Sequence, residues 1–410
     1  MNSSSTAAPV QPLSDVTVLD LTHHIVGPYA TKLFGDFGAD VIKVEKPDGD
    51  IARSLGPFKD DEAHPESSGL FFYLNTNKRS LVLDLKSEAG LSALRQLATG
   101  ADIVVESFSP ETLDRLGCGW EFFQSVNPGL PLVSISNFGQ DGPYRHYRVS
   151  DLVLYAFAGE MYSMGETDRE PTKMAGTAAL FESGASAAVA TFAALWASKR
   201  HGIAQHVDVS LAETHLGGVD RRHATAIGFE FSGRRTMRAS GAIRGMPSGI
   251  YPCADGYVDF TNAQLHPDRV ADMLGHPDWL MNDSRFTDVL QRMNPNTVGD
   301  FDTHFLEWCL AQTKREIWSE ARRARVMCGP LFTMEDLFND DHFRDRGFWE
   351  EAEHQALGRV TLPGRPFLMS EGGWALKRTA PLLGEHSTEL LAEFGVNQET
   401  TREILEGRTR

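Results

Sequence analysis

The chain has 410 residues, of which 41% are hydrophobic and 23% charged, enough apolar material for a sizeable core and too much for a disordered or collagen-like chain. Its formal charge of -17, from 39 Lys and Arg against 56 Asp and Glu, argues against a surface built to wrap nucleic acid or lie on an anionic membrane, while leaving room for a local basic pocket. The four cysteines, Cys118, Cys253, Cys309 and Cys328, are far apart in sequence with no C-x-x-C spacing, so they read as reduced, buried thiols and not as a disulfide framework or zinc site.

Residues 1–14 read as a mobile tail, with neither the basic nor the apolar region of a signal peptide. Short β-branched runs then alternate with helical segments, the pattern of a parallel sheet covered by helices. Val16 to Leu19 predicts a strand, Pro28 to Phe37 a helix closed near Gly38, and Asp40 to Glu45 a second strand. Arg79 to Leu85 (strand), Ser87 to Thr99 (helix with Ser87 as its cap), Ile103 to Glu106 (strand), a helix from about Pro110 and Leu132 to Ser136 (strand) continue the alternation. The expected fold is α/β, with a doubly wound, Rossmann-like large domain whose ligands sit beyond the carboxyl ends of the strands.

Phe181 to Arg200 reads as a buried small-residue helix. Its uncharged stretch, Ser183 to Ser198, is 16 residues long and falls short of the roughly 20 that a membrane span needs. A strand, Gln205 to Val209, follows. Residues 216–245 are rich in Gly, Arg and Ser and read as a linker and glycine-rich loop, with Gly241 to Gly249 able to act as a lid. Tyr251 to Val258 predicts two strands around an Asp-Gly turn, and with helices Thr303 to Ala311 and Lys314 to Ala324 it opens a small α/β domain over residues 246–340. Residues 341–410, with a strand at Arg359 to Leu362 and helices from Ser387, are expected to return and complete the large domain of residues 15–215. A cytoplasmic protein without membrane or nucleic-acid partners is the expectation.

No phosphate loop, G-x-S-x-G elbow, H-E-x-x-H pair or EF-hand is present, and Gly117-Cys118-Gly119 lacks the third glycine of a dinucleotide fingerprint. The order of four segments is more informative. They are Val18-Leu19-Asp20-Leu21 through Gly27-Pro28 with Ala39-Asp40-Val41-Ile42-Lys43-Val44-Glu45; Asn75-Thr76-Asn77-Lys78-Arg79 into Leu83-Asp84-Leu85-Lys86; Val105-Glu106-Ser107-Phe108 with Leu113-Asp114-Arg115-Leu116-Gly117; and Ser134 through Gly142-Pro143-Tyr144. This succession resembles the class III CoA-transferase family over nearly the whole chain, down to Leu383-Gly384-Glu385-His386.

The resemblance implies that His23, Val26, Lys46, Leu83, Lys86, Ser107, Phe108 and Arg115 line a nucleotide and pantetheine path, with Arg148 and Asp151 near the thioester end. Coenzyme A carries several phosphates, so cations gathered near strand ends suit it. Lys86 and Arg95 suit solvated helix faces equally, as does the run Arg322-Arg323-Ala324-Arg325. Coenzyme A thioester enters as a substrate, and no permanently bound cofactor or metal is expected.

Transferases of this family attack the thioester with an aspartate. In the family register that position falls on Leu180, counted forward from Asp151 or backward from Gly184, so no catalytic residue is assigned in this chain. The nearest carboxylate, Glu182, is about 200° further round a helix. The racemase branch is disfavoured because Ser150 stands where it needs a histidine. The resemblance therefore implies the non-nucleophilic subunit of an interlocked-ring heteromer, as in succinyl-CoA:(R)-benzylsuccinate CoA-transferase. Its partners would be an Asp-bearing homologous subunit, an acyl-CoA donor such as succinyl-CoA, and an aromatic or dicarboxylic acid acceptor. A homodimer using Glu182 and a non-catalytic acyl-CoA-binding protein are the alternatives.

Overall fold

The computed structural model describes residues 11–218, 222–235, 238, 246–261, 266–288 and 291–407. They fall into a larger unit, comprising residues up to Met164, Pro171–Met237 and Asp345 onward, and a smaller one, Gly165–Glu170 with Arg238–Arg344.

The larger unit is built on strands β1 (Thr17–Leu21), β2 (Asp40–Glu45), β3 (Lys78–Val82), β4 (Ile103–Glu106), β5 (Leu132–Ser136) and β6 (His206–Ser210). All pair in parallel in the order β3-β2-β1-β4-β5-β6. The first five are buried along almost their whole length, as strands covered on both faces must be. The chain runs outward from β1 to β3 and then returns to place β4 beside β1, so the order reverses there and a crevice opens between their carboxyl ends. The expected doubly wound α/β sheet is therefore present.

Helices α1 (Val26–Asp36), α2 (Gly69–Leu74), α3 (Glu88–Thr99), α4 (Thr112–Arg115), α5 (Trp120–Val126), α6 (Asp151–Phe157) and α7 (Ala178–His201) connect these strands. Ser87 caps α3 by accepting from the Gly90 amide, as read from the sequence. β3 ends at Val82 and not at Leu85, because Asp84 turns the chain by accepting the Lys86 amide. α7 begins at Ala178 and is 24 residues long, against the 20 read from sequence. It meets the length and composition of a membrane span, yet half of its most apolar window is buried in the fold. Where it crosses α1, a Cβ on Gly184 would lie 2.9 Å from the Val26 carbonyl oxygen, so only glycine lets the two helices approach this closely. Two further helices, α8 (Leu211–Gly218) and α9 (Arg222–Ser232), follow β6, so part of the expected linker is helical. Residues 241–245 of the expected lid lie outside the described residues.

Charges are buried against the sheet. Lys78 pairs with Asp20 at 2.8 Å and also donates to the Pro28 carbonyl, Thr31 Oγ1 and Asn75 Oδ1. Lys43 pairs with Asp50 at 2.8 Å and donates to the Thr22 carbonyl. Each ammonium is fully buried and multiply bonded, the condition under which an interior charge is tolerable.

Residues after Asp345 add a hairpin, β10 (Trp349–His354) with β11 (Gly358–Pro363), and helices Ser387–Glu393 and Gln398–Gly407, whose Leu390, Leu391 and Ile404 join the core under α3.

The smaller unit holds an antiparallel sheet, β7 (Gly249–Cys253), β8 (Gly256–Phe260) and β9 (Cys328–Pro330). The hairpin read from the sequence is present, with its turn at Ala254 and Asp255 and Gly256 already opening β8. Helices Pro267–Leu274, Pro295–Leu310 and Lys314–Ala324 pack on it, the last opened by a capping box between Thr313 and Glu316. Tyr251, Phe260, Phe301 and Phe305 form its centre, joined by Cys253 and Cys309, with Cys328 at its margin. All four cysteines are free thiols.

Candidate functional site

A cleft of about 520 Å³ lies at the crevice between the carboxyl ends of β1 and β4. His23, His24 and Val26 contribute one wall, Ser107 to Pro110 with Thr112 and Arg115 the second, and Ile135 to Asn137 with Arg145 to Arg148 the third, Leu211 completing the lining. Each wall is the segment following a parallel strand, which is why the fold places them together.

The first two walls are tied directly. The His23 amide donates to Ser107 Oγ at 2.9 Å, the same hydroxyl lies 3.2 Å from His23 Nδ1, and the Phe108 ring sits 6.0 Å from the imidazole. His24 takes a left-handed φ of 71° while its amide donates to Asp50 Oδ1 at 2.9 Å. The buried Lys43 and Asp50 pair thus fixes the turn between β1 and α1. Desolvation pushes both His23 and His24 below the ordinary histidine range, against the upward pull of Asp50, so they are neutral donors and acceptors near pH 7.

The cleft is locally basic in an acidic protein. Arg115 and Arg148 are exposed, Arg145 pairs with Glu111 at 2.9 Å, and Arg148 makes no ion pair among the described residues. α1 starts beside Val26, and its N-cap residue Ile25 supplies no side-chain acceptor, leaving amide donors at that end.

Of the ten residues singled out from the sequence, His23, Val26, Ser107, Phe108, Arg115 and Arg148 line this cleft. Lys46 and Lys86 are exposed elsewhere on the rim of the sheet, and Leu83 is packed in the core. Asp151 opens α6, where Lys173 pairs with it at 2.9 Å. Arg95 lies over the Phe122 ring at 4.5 Å, a structural contact. His24, Asn137, Arg145, His146 and Tyr147 escaped the sequence reading. The rule that loops after parallel strands line the ligand site points to the last four, which lie in the segment between β5 and α6.

Leu180 is 4% exposed, in the first turn of α7, packed into the core with Val26 and Ala30. Glu182 is partly exposed, and burial together with Glu160 raises it above the usual carboxylate range. Among the described residues no cluster of His, Cys, Asp and Glu is arranged to hold a metal ion.

The sequence profile described as CoA-transferase family III matches residues 13–387. This chain belongs to CoA-transferase family III. It is 32% identical over 394 residues to the succinyl-CoA:(R)-benzylsuccinate CoA-transferase subunit BbsE of Thauera aromatica, covering 94% of this chain and 95% of that one. It is 33% identical over 399 residues to succinyl-CoA:mesaconate CoA-transferase of Haloarcula marismortui, covering 95% and 98%. Among solved structures, a CAIB/BAIF family protein from Brucella suis superposes with a TM-score of 0.82 at 29% identity, covering 94% of this chain and 99% of that one. The sequence resemblance and the fold therefore agree on a family that moves CoA between carboxylic acids, and the basic crevice of this family III chain suits an anionic thioester substrate.

Proposed function

We propose that this chain is the non-nucleophilic subunit of a heteromeric CoA-transferase. The reading rests on Leu180: the sequence resemblance implies that the family's nucleophile position falls on this residue, a leucine that is buried, while the cleft at the sheet's switch point carries cations and donors. Leucine has no lone pair to offer a thioester, and Glu182, two positions on, points to another side of α7.

In this reading Arg115, Arg148 and the open amides of α1 take the phosphates of CoA, Val26 and Phe108 flank the pantetheine, and Ser107 with His23 fixes the relation of the two walls. Lys46 and Lys86 act from the rim, Leu83 supports that edge from the core, and Asp151 holds the loop after α6 near the thioester end. The covalent steps run on an aspartate of the homologous partner. Its carboxylate attacks the thioester carbonyl and expels the CoA thiolate, leaving a mixed anhydride. The thiolate then attacks the aspartyl carbonyl, releasing the first acid and forming an aspartyl thioester, from which the acceptor carboxylate reclaims CoA through a second anhydride. Succinyl-CoA is the proposed donor, in line with the names of the two relatives, and an aromatic or dicarboxylic acid the acceptor.

Apolar side chains exposed on α7 (Val189, Phe192, Trp196) and on α9 (Phe229, Phe231) support a second subunit as the cover of this surface. The test is native mass spectrometry of the chain alone and co-expressed with an Asp-bearing relative, followed by a succinyl-CoA transfer assay on each species. Activity confined to the mixed assembly is expected. An active assembly of this chain alone would overturn the proposal and make Glu182 the candidate nucleophile.

A further inference from the structure

Glu106 is a buried carboxyl group directly behind the cleft, and none of the roles assigned above uses it. It is the last residue of β4 and is 4% exposed. Its Oε2 accepts the Phe108 amide at 2.6 Å, and its side chain also bonds the Ser134 hydroxyl, which lies 2.8 Å from His206 Nε2. The His206 ring is stacked 5.8 Å from Trp120.

Every neighbouring element can be accounted for. β1 presents Leu21 opposite Glu106, β5 presents Ser134, and β6 presents His206 and Asp208 on the same face. Asp114 comes from α4 and the Cys118 thiol from the turn after it. The charged neighbours are thus carboxylates, and no Lys or Arg ion pair reaches Glu106 among the described residues. Asp208, in the middle of β6, in turn accepts the Gln140 amide at 2.8 Å, so two strand carboxylates each hold the start of a loop.

We propose that Glu106 is a positioning residue for the CoA cleft, fixing the Ser107–Pro110 wall through the Phe108 amide in a way that depends on the proton it carries. The proposal rests on the reading of this cleft as the CoA site. Through Ser107 and Phe108 that wall also sets His23 on the opposite side. A charge-assisted hydrogen bond is roughly twice as strong as a neutral one, so the ionised carboxylate pins the amide. The protonated acid donates to the Ser134 hydroxyl and holds the amide less firmly. Burial beside Asp114 and Asp208 pushes Glu106 up to about 7, which puts the change near neutral pH.

The test titrates CoA into the full-length wild type and Glu106→Gln, in whatever assembly each forms, by calorimetry between pH 6 and pH 8. The ratio of their Kd values cancels the titration of the CoA phosphates and of His23 and His24, which change in both proteins. Expected is a variant about five-fold weaker at pH 8, with the ratio approaching one at pH 6. A ratio that does not change with pH would overturn the proposal, since loss of a purely structural contact weakens binding at every pH. Should the variant fail to fold, amide exchange of the wild-type segment 105–112, corrected for the chemical rate, decides: greater protection at pH 8 than at pH 6 supports the role, and equal protection sinks it. If the wild type binds no CoA at any pH, the functional reading falls, while amide exchange still judges Glu106.

Discussion

At Glu106 the demands of stability and of site geometry oppose one another. Its carboxyl is raised from 4.5 to about 7 in the folded chain, so between those values the folded state keeps a proton that the unfolded state has lost. Stability from this group is therefore greatest below about pH 4.5, falls as pH rises towards 7, and is level above it. At roughly 1.4 kcal/mol per pH unit, the fall amounts to about 3 kcal/mol. Denaturant unfolding of the wild type and Glu106→Gln across pH 5 to 8 checks this: the difference between them should shift against the wild type by about that amount, whereas a pH-independent difference would show that the carboxyl is not perturbed. Lys78 illustrates the other outcome of burial. Desolvation pulls its ammonium down to about 8, yet Asp20 and three further acceptors keep it charged at neutral pH.

At the level of elements, the crossing of α1 and α7 links packing to the cleft, because Val26 both lines the cleft and offers its carbonyl to the close approach at Gly184. Gly184→Ala gains up to about 1 kcal/mol of helix propensity, but its Cβ meets a backbone oxygen and the Tyr29 ring at 2.9 Å, and overpacking of this kind costs about 1–3 kcal/mol. A net loss of stability, together with weaker CoA binding as Val26 is displaced, is expected in urea unfolding and calorimetry; a more stable variant with unchanged binding would refute the coupling. The strands were legible because residues buried on both faces of a parallel sheet form short β-branched runs, so β2, β4 and β5 fall where the pattern places them. α9 was missed because its glycine and arginine neighbours resemble a linker, and the start of α7 because Ala178 and Ala179 follow a Gly-Thr pair. In the cleft, His23, Ser107 and Phe108 were legible through the family resemblance, and they follow β1 and β4. His24 was not, since its part depends on a left-handed backbone and on Asp50, 26 residues away.

For the whole molecule, a charge of -17 with a basic crevice at the sheet's switch point means that most of the surface repels a polyanion while this one cleft is suited to it. The proposal turns on a carboxylate nucleophile whose position, in the register that the sequence resemblance implies, falls on Leu180, a residue inside the core. In the proposed reading the chain's part is to bind and orient the thioester and to complete an assembly whose partner performs the covalent steps. Intact-mass analysis of the mixed assembly after incubation with succinyl-CoA, quenched during turnover, tests this most directly. The account predicts a CoA thioester adduct on the Asp-bearing partner and unmodified mass for this chain; an adduct on this chain, mapped to Glu182 or any other carboxylate, would contradict it.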